Sequence, residues 1–402
     1  MNSEIYLDHN ATTYVEPKVV EAMIPYFTEK FANPSGIYIL SQNVSNDIQA
    51  AREKIQELLH AKNGKLIFTG GGSESDNLAI KGYAYANQNK GKHIITSQIE
   101  HHAVLHTCEQ LEKEGFTVTY LPVDTTGIVK LEELKKAIQA DTLLISIMYA
   151  NNETGVIQPI KEIINIAHQN KVAVHTDAVQ IVGKQEINID DLGVDLLSFS
   201  AHKFYGPKGV GGLFVKKGIK IHNIIQGGGQ EFKLRAGTEN TAGIIGTTKA
   251  LEIAMQNWEE DWNKEKALRD ELEQQLLALI PESQLNGHVE NRLANTLNII
   301  IKYIEGEGML LLLNNNNIYA SSGSACTSGS LDPSHVLLAM GIPHEHAHGS
   351  LRFSLGRKTT QDDIKQVIEV LPKIVEKLRA MSPLYNSKNR PSGFNNESTF
   401  PY

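Results

Sequence analysis

Val194-Asp195-Leu196-Leu197-Ser198-Phe199-Ser200-Ala201-His202-Lys203, followed by Gly206-Pro207-Lys208-Gly209-Val210-Gly211-Gly212, is the stretch whose reading decides the fold. A short apolar run ends at Ser200, a lysine stands just past it, and a glycine-rich turn leads into a further run, Gly212 to Val215. In an open α/β sheet, ligands bind outside the carboxyl ends of the strands. A lysine at such an edge can form a Schiff base with an aldehyde cofactor and later act as a base, if its pKa is depressed. The segment alone reads equally well as a surface lysine in a glycine-rich turn.

Working outward, Leu66 to Thr69, His93 to Ser97, Phe116 to Pro122, Leu143 to Tyr149, Val172 to His175, Val194 to Ser200 and Gly212 to Val215 read as buried strands. Amphipathic segments such as Glu74 to Gln88, Leu131 to Ala140 and Ile160 to Asn170 fall between them. This alternation predicts an α/β fold with a mostly parallel, seven-stranded sheet and helices on both faces. A long helical pattern from Thr241 to Ile280 breaks the alternation, and Pro281 ends it. Asn295 to Ile301, a helix over Gly306 to Asn314, Gly349 to Leu355 and Thr360 to Ala380 then read as a smaller α+β unit. The expected organisation is a large α/β domain over 16–260 and a small domain formed by 1–15 with 261–382. The tail 383–402, rich in Asn, Ser and Pro, is expected to be disordered or loosely docked.

Three further segments carry chemistry. Asp177 ends the run Val172 to Gln180, directed at the same sheet edge as Lys203. A carboxylate there suits the pyridinium nitrogen of pyridoxal phosphate, and Gln180 could donate to the ring hydroxyl oxygen. On its own, Asp177 reads as a helix cap. Thr69-Gly70-Gly71-Gly72-Ser73-Glu74-Ser75 follows a strand and opens a helix, an arrangement that offers free N–H groups to a phosphate. It is not the nucleotide loop, since no Gly-Lys-Ser/Thr follows. In Ser321 to Ser330, small residues surround Cys326, which suits a nucleophile that must travel. Cys108, on the helical pattern His102 to Glu114, reads as core.

Composition sets outer bounds. The 402 residues carry a formal net charge of −8 and 21% charged residues, an ordinary globular profile without a concentrated basic face for nucleic acid. Two cysteines exclude a disulfide framework. The start Met1 to Asp8 has no basic-then-apolar run, and Met309 to Leu313 is too short to span a bilayer. A cytoplasmic protein is expected. His344-Glu345-His346-Ala347-His348 invites a metal reading but lacks a thiolate partner, so no metal is assigned.

Together these residues resemble the class V aminotransferase-like cysteine desulfurases of fold type I, most closely the NifS type. The similarity runs from Tyr6-Leu7-Asp8-His9-Asn10-Ala11-Thr12-Thr13 to about Arg379. Its landmarks are Asn151-Asn152-Glu153-Thr154-Gly155, Ser200 to Lys203, Arg235-Ala236-Gly237-Thr238-Glu239-Asn240 and Gly323-Ser324-Ala325-Cys326-Thr327-Ser328-Gly329. The resemblance implies a fold type I pyridoxal-phosphate transferase acting on L-cysteine, with Lys203 carrying the cofactor and Cys326 receiving the sulfur as a persulfide. It implies Asp177 at the pyridine nitrogen, Gln180 and Asn152 on the ring-oxygen side, and His101 stacked over the ring and assisting proton transfer. Gly72, Ser73, Ser200 and His202 would hold the phosphate, joined by Thr238 from the other subunit of a homodimer. Arg352 would pair with the substrate carboxylate, for which a guanidinium fork is suited; a structural ion pair is its other reading. The sulfur would pass to an iron–sulfur scaffold protein. Gly329 to His335 points further, to supply for nitrogenase. Departures from the family pattern are Ser73 for Thr, Asp8-His9-Asn10 for Asp-Asn-Asn, and Tyr38 in place of a histidine. A selenocysteine lyase or cysteine-sulfinate desulfinase on the same fold would depend less on Cys326. A general, housekeeping sulfur donor would look nearly the same.

Overall fold

The computed structural model describes residues 4–322, 332–383 and 385; Cys326 and nearly all of the tail lie outside the described residues. Its strands are β1 (Ile5–Tyr6), β2 (Gly64–Thr69), β3 (His93–Ser97), β4 (Thr117–Leu121), β5 (Thr142–Ser146), β6 (Ala173–Asp177), β7 (Leu196–Ser200), β8 (Gly211–Lys216), β9 (Ser283–Leu285), β10 (Thr296–Ile301), β11 (Ile318–Tyr319) and β12 (Ser350–Ser354). Seven of them form one sheet in the order β2-β8-β7-β6-β5-β3-β4. Only β8 runs against its neighbours β2 and β7; the pairs from β7 through to β4 are all parallel. The carboxyl ends of β2, β3, β5, β6 and β7 therefore share one edge.

Alternate side chains of these strands enter opposite layers. Leu66, Phe68, Ile95, Ile145, Leu197 and Phe199 join one apolar cluster, whereas Ile67, Ile94, Leu144, Leu196 and Leu213 join another. Because helices cover both faces, β3, β5, β6 and β7 are buried at every position, and apolar residues stand next to one another in them instead of alternating with exposed polar ones. The edge strand β4 keeps an exposed Thr117. Cys108 is fully buried in the second cluster, and burial pushes its thiol up to about 12.

The expected strand over Leu143 to Tyr149 is shorter than read, ending at Ser146. Ile147 and Tyr149 still donate to His175 and Asp177, but the Met148 N–H turns to the Glu100 carboxylate at 3.0 Å. That side-chain acceptor interrupts the ladder just above the sheet edge.

Antiparallel β12-β10-β9 forms a second sheet, and β1 pairs with β11 in parallel. The helix Gln361–Met381 packs over this region and begins with a capping box between Thr360 and Asp363. The 39-residue helix Thr241–Leu279 serves both regions. Ile244, Ala250, Leu251 and Ala254 enter the cluster of the large sheet; Leu268, Leu272 and Leu276 enter that of the small one.

One strained segment borders the large sheet. Glu231, Phe232 and Lys233 all adopt positive φ (43°, 60° and 66°), a region that costs ordinary side chains about 1–2 kcal/mol each. Arg52, on the helix Ile39–Leu58, holds them there with two 2.7 Å bonds to the Glu231 carboxylate. Phe68 N–H gives that carboxylate a third donor at 2.8 Å, and the rings of Phe68 and Phe232 lie 4.7 and 5.0 Å from the guanidinium carbon. Both charges are buried, so removing one strands the other. Arg52→Met is expected to lower unfolding stability by about 3–5 kcal/mol in urea titrations. A loss under about 1 kcal/mol would place the pair with weak surface pairs.

Candidate active site

Three segments meet at the shared strand edge. The first is the turn after β7, Ala201–Lys203, which places Lys203 beyond the sheet. The main chain of the N-terminal segment lies across it. Thr13 donates both N–H and Oγ1 to the His202 carbonyl at 3.0 Å, and Thr13 Oγ1 accepts from Tyr205 N–H. Lys203 Nζ donates to the carbonyls of Asn10 and Ala11 at 2.5 and 2.8 Å.

The second segment is the end of β6. Asp177 is buried; its Oδ1 accepts from Val179 N–H at 2.9 Å, the local cap that the sequence also allowed. Burial raises its pKa to about 6, opposed by that N–H and by Lys203. Asp76 is also buried in the cavity wall, and burial, reinforced by Asp177, holds its carboxyl well above the usual range. Behind it, His175 bridges Ser146 and Ser198 hydroxyls at 2.8 and 2.9 Å, and burial lowers its pKa to about 3.

The third segment is the turn from β2 into the helix Gly72–Asn87. Gly71 has φ 149° there, and a Cβ at Gly72 would stand 2.7 Å from Val179 Cγ2, so a side chain would fill the cradle. Glu74 pins the turn by accepting from Gly70 N–H at 2.8 Å, and Arg235 in turn binds Glu74 at 2.8 Å.

These elements enclose a cavity of about 280 Å³ whose walls include Gly72, Ser73, His101, Asn152, Asp177, Gln180, Ser200, His202, Lys203 and Arg352. Every site residue expected from the sequence is thus brought together except two. Thr238 is exposed and outside the cavity of its own chain, and Cys326 lies outside the described residues. Before residues 323–331, which lie outside the described residues, the backbone of Ser321 bonds Arg352 in both directions. After them, Ser334 donates to Glu153, and His335 bonds the Glu100 carbonyl at 2.9 Å.

His101 caps the helix His102–Lys113, its Nδ1 accepting from Ala103 N–H at 3.1 Å. A lone pair committed there puts the ring proton on Nε2, and burial, aided by Lys203, lowers its pKa to about 4. Burial, with Lys203 and Lys208 behind it, brings His202 to about 4 as well. Asn151 Oδ1 accepts from Glu153 N–H, Thr154 N–H and Thr154 Oγ1, shaping the turn that presents Asn152. Arg352 is 2% exposed on β12; Nη2 meets Asp8 at 2.6 Å, Nη1 meets the Asn152 carbonyl at 3.2 Å, and Nε has no hydrogen-bond partner among the described residues. The ion pair allowed by the sequence therefore exists, and the same guanidinium also lines the cavity.

The residues fit pyridoxal phosphate: an amine at a strand end, a buried carboxylate, a helix N-terminus with an open glycine cradle, and a guanidinium. The family model described as "Aminotransferase class-V" matches residues 5–367. A cysteine desulfurase called IscS from Methanosarcina thermophila is 57% identical over 383 residues, covering 95% of each chain. The chain belongs to the cysteine desulfurases of the class-V aminotransferase family. Among solved structures, a NifS-like protein superposes with a TM-score of 0.88 at 38% identity, covering 94% of this chain and all of its own. SspA, solved in complex with cysteine, gives 0.78 at 37% identity, covering 89% of this chain and all of its own. Class-V membership carries pyridoxal phosphate with it as cofactor, and the sheet is that of fold type I enzymes.

Asn10, Asp76, Glu100 and Lys184 were not assigned roles from the sequence. Asp76 had a usable signal, one helical turn beyond Gly72-Ser73 and so on the same face. The others reach the site through main-chain or long-range contacts that leave no local pattern.

His175 supplies a signed test. Its folded pKa lies below the unfolded value of about 6.5, so the unfolded chain takes up more protons as pH falls from about 6.5 towards 3. Its neutral burial therefore costs stability progressively over that window. His175→Asn is expected to flatten the acid-side loss relative to wild type, measured as urea midpoints from pH 7 to pH 4.5; parallel curves would contradict the assignment.

Proposed function

We propose that this cysteine desulfurase binds pyridoxal phosphate in the cavity at the edge of the large sheet and moves the sulfur of L-cysteine onto Cys326, releasing L-alanine. The observation that carries the reading is the convergence of Lys203, Asp177, the Gly72–Ser73 helix start and Arg352 on one cavity.

When bound, the cofactor supplies an electron sink for the charge left when the substrate loses its Cα proton. Lys203 would hold it through its amine, and the same amine, displaced by substrate, takes that proton. Asp177 would keep the ring nitrogen protonated: a cation beside it favours ionisation of a carboxyl otherwise held near pH 6 by burial. Neutral His101 would lie against the ring and offer Nε2–H. Gln180 and Asn152 would face the ring oxygen, while Gly72, Ser73, Ser200 and His202 would bind the phosphate. Arg352, whose guanidinium lines the cavity, would pair with the substrate carboxylate. The Cys326 thiolate attacks the substrate sulfur, an S–S bond forms, the substrate C–S bond breaks, and its electron pair stays with the carbon fragment, which is protonated to alanine.

Further parts of the reading rest on the family. Thr238, exposed on its own chain, would complete the phosphate site of a second copy in a homodimer. A division into 16–260 and 1–15 with 261–382 is supported by the apolar cluster drawn from Ile5, Leu7 and residues 268–375, while Leu293, Val336, Leu337, Met340 and Ala347 pack into the cluster of the large sheet. No helix among the described residues is long and apolar enough to cross a membrane, and the enzyme is assigned to the cytoplasm. The persulfide passes to an iron–sulfur scaffold protein. A nitrogenase-dedicated supply is favoured by Gly329 to His335 and by the NifS-like structural match. The name IscS of the Methanosarcina relative favours the general supply of iron–sulfur sulfur, which we adopt.

Purified wild type and Cys326→Ala are given L-cysteine with a reductant, and alanine and sulfide are quantified. Equal yields from wild type and a loss of both by at least roughly 100-fold in the variant are expected, as for a lost nucleophile. Alanine from both proteins would mean that sulfur leaves without Cys326. Separately, Asp177→Ala is expected to weaken pyridoxal-phosphate binding by roughly tenfold or more, read by equilibrium dialysis of the apoprotein.

A further inference from the structure

Beside the active-site cavity lies a second, smaller one of about 20 Å³, whose walls include Lys184, Lys203, Glu265 and Asn295. Lys184 Nζ donates to Gln180 Oε1 at 3.2 Å and to Asn10 Oδ1 at 3.1 Å. An ammonium is a donor only, so each amide must turn its oxygen to Lys184 and its NH₂ away. Gln180 Nε2 then reaches the Asn10 carbonyl at 3.0 Å, the same oxygen that accepts from Lys203 at 2.5 Å. Asn10 Nδ2 reaches Thr296 Oγ1 at 2.8 Å and the Asn152 carbonyl at 3.2 Å, next to Arg352. Lys184 thus holds the oxygen ends of two amides around the cofactor lysine, joined at Asn10 Oδ1 by Asn295 Nδ2 at 3.1 Å.

We propose that Lys184 is a positioning residue of the desulfurase reaction, locking the Gln180 amide so that its Nε2 donor stays on the side where the ring oxygen binds. The Asn10 carbonyl holds the Nε2 end, and Lys184 adds the second constraint, at Oε1, against a flip that would turn an oxygen towards the ring oxygen and repel it. Glu265, buried on the helix Thr241–Leu279, is the counter-charge. Burial lowers the Lys184 pKa and raises that of Glu265, and each draws the other back towards its charged form. The inference rests on the reading of the cavity as the pyridoxal-phosphate site.

The test is a double-mutant cycle read as the dissociation constant of pyridoxal phosphate from the dialysed apoprotein, by absorbance titration. Lys184→Met and Gln180→Ala should each weaken binding by roughly tenfold, and the two together should be no weaker than Gln180→Ala alone to within about twofold. Lys184→Met leaves Glu265 without its partner, so Lys184→Met/Glu265→Gln removes both charges and keeps a folded control; it should show the same loss as Lys184→Met. Unchanged affinity in both Lys184 variants, or a multiplied effect in the Gln180→Ala background, would overturn the proposal while leaving the cofactor site standing. A wild type that takes up no pyridoxal phosphate would overturn the functional reading and this inference together.

Discussion

The site depends on a main-chain interaction: the carbonyls of Asn10 and Ala11 meeting the amine of Lys203. The N-terminal segment is fastened on both sides. Towards the small sheet, His9 N–H donates to the Ser354 carbonyl, Ser354 N–H to the Leu7 carbonyl and Asn10 N–H to Ser354 Oγ. Towards the large sheet, Thr13 grips the His202 carbonyl. Because backbone groups make these bonds, side-chain substitution along the segment leaves most of them in place. The segment links Lys203, beyond the large sheet, to Arg352 on the small one.

Around this strap the enzyme keeps an unusual density of buried ionisable groups. Asp76, Glu100, Asp177 and Glu265 are all displaced upward by burial, and His101, His175 and His202 downward. Each shift disfavours charge on these side chains. A cation beside Asp177 would favour its ionised form, in a setting fixed by groups already in place.

The strands of the large sheet were legible because full burial on both faces favours short runs rich in apolar and β-branched residues, as around Ile94–Ile95 and Leu196–Leu197. The Lys203 turn, the Gly70 to Ser73 cradle and Asp177 were legible for a related reason: each sits at the end of such a run, and the parallel topology stacks those ends. The direction of β8 was not, since an apolar run carries no polarity. Nor were Asn10 and Lys184, whose parts depend on a carbonyl oxygen and on amide orientation. The premature end of β5 turned on Glu100, a residue 48 positions from Met148.

The N-terminal strap has a consequence for biosynthesis. Ile5 pairs with Ile318 and Asp8 with Ser354, so this segment finds its partners only in residues made far later. At about 5–20 residues per second, the nascent strap waits roughly 20–70 seconds for β12 to emerge. Lys203 is translated long before that, and β8, which completes the large sheet between β2 and β7, follows within a few residues. The cavity wall that includes Arg352 therefore waits for β12, long after the sheet that carries the lysine can form.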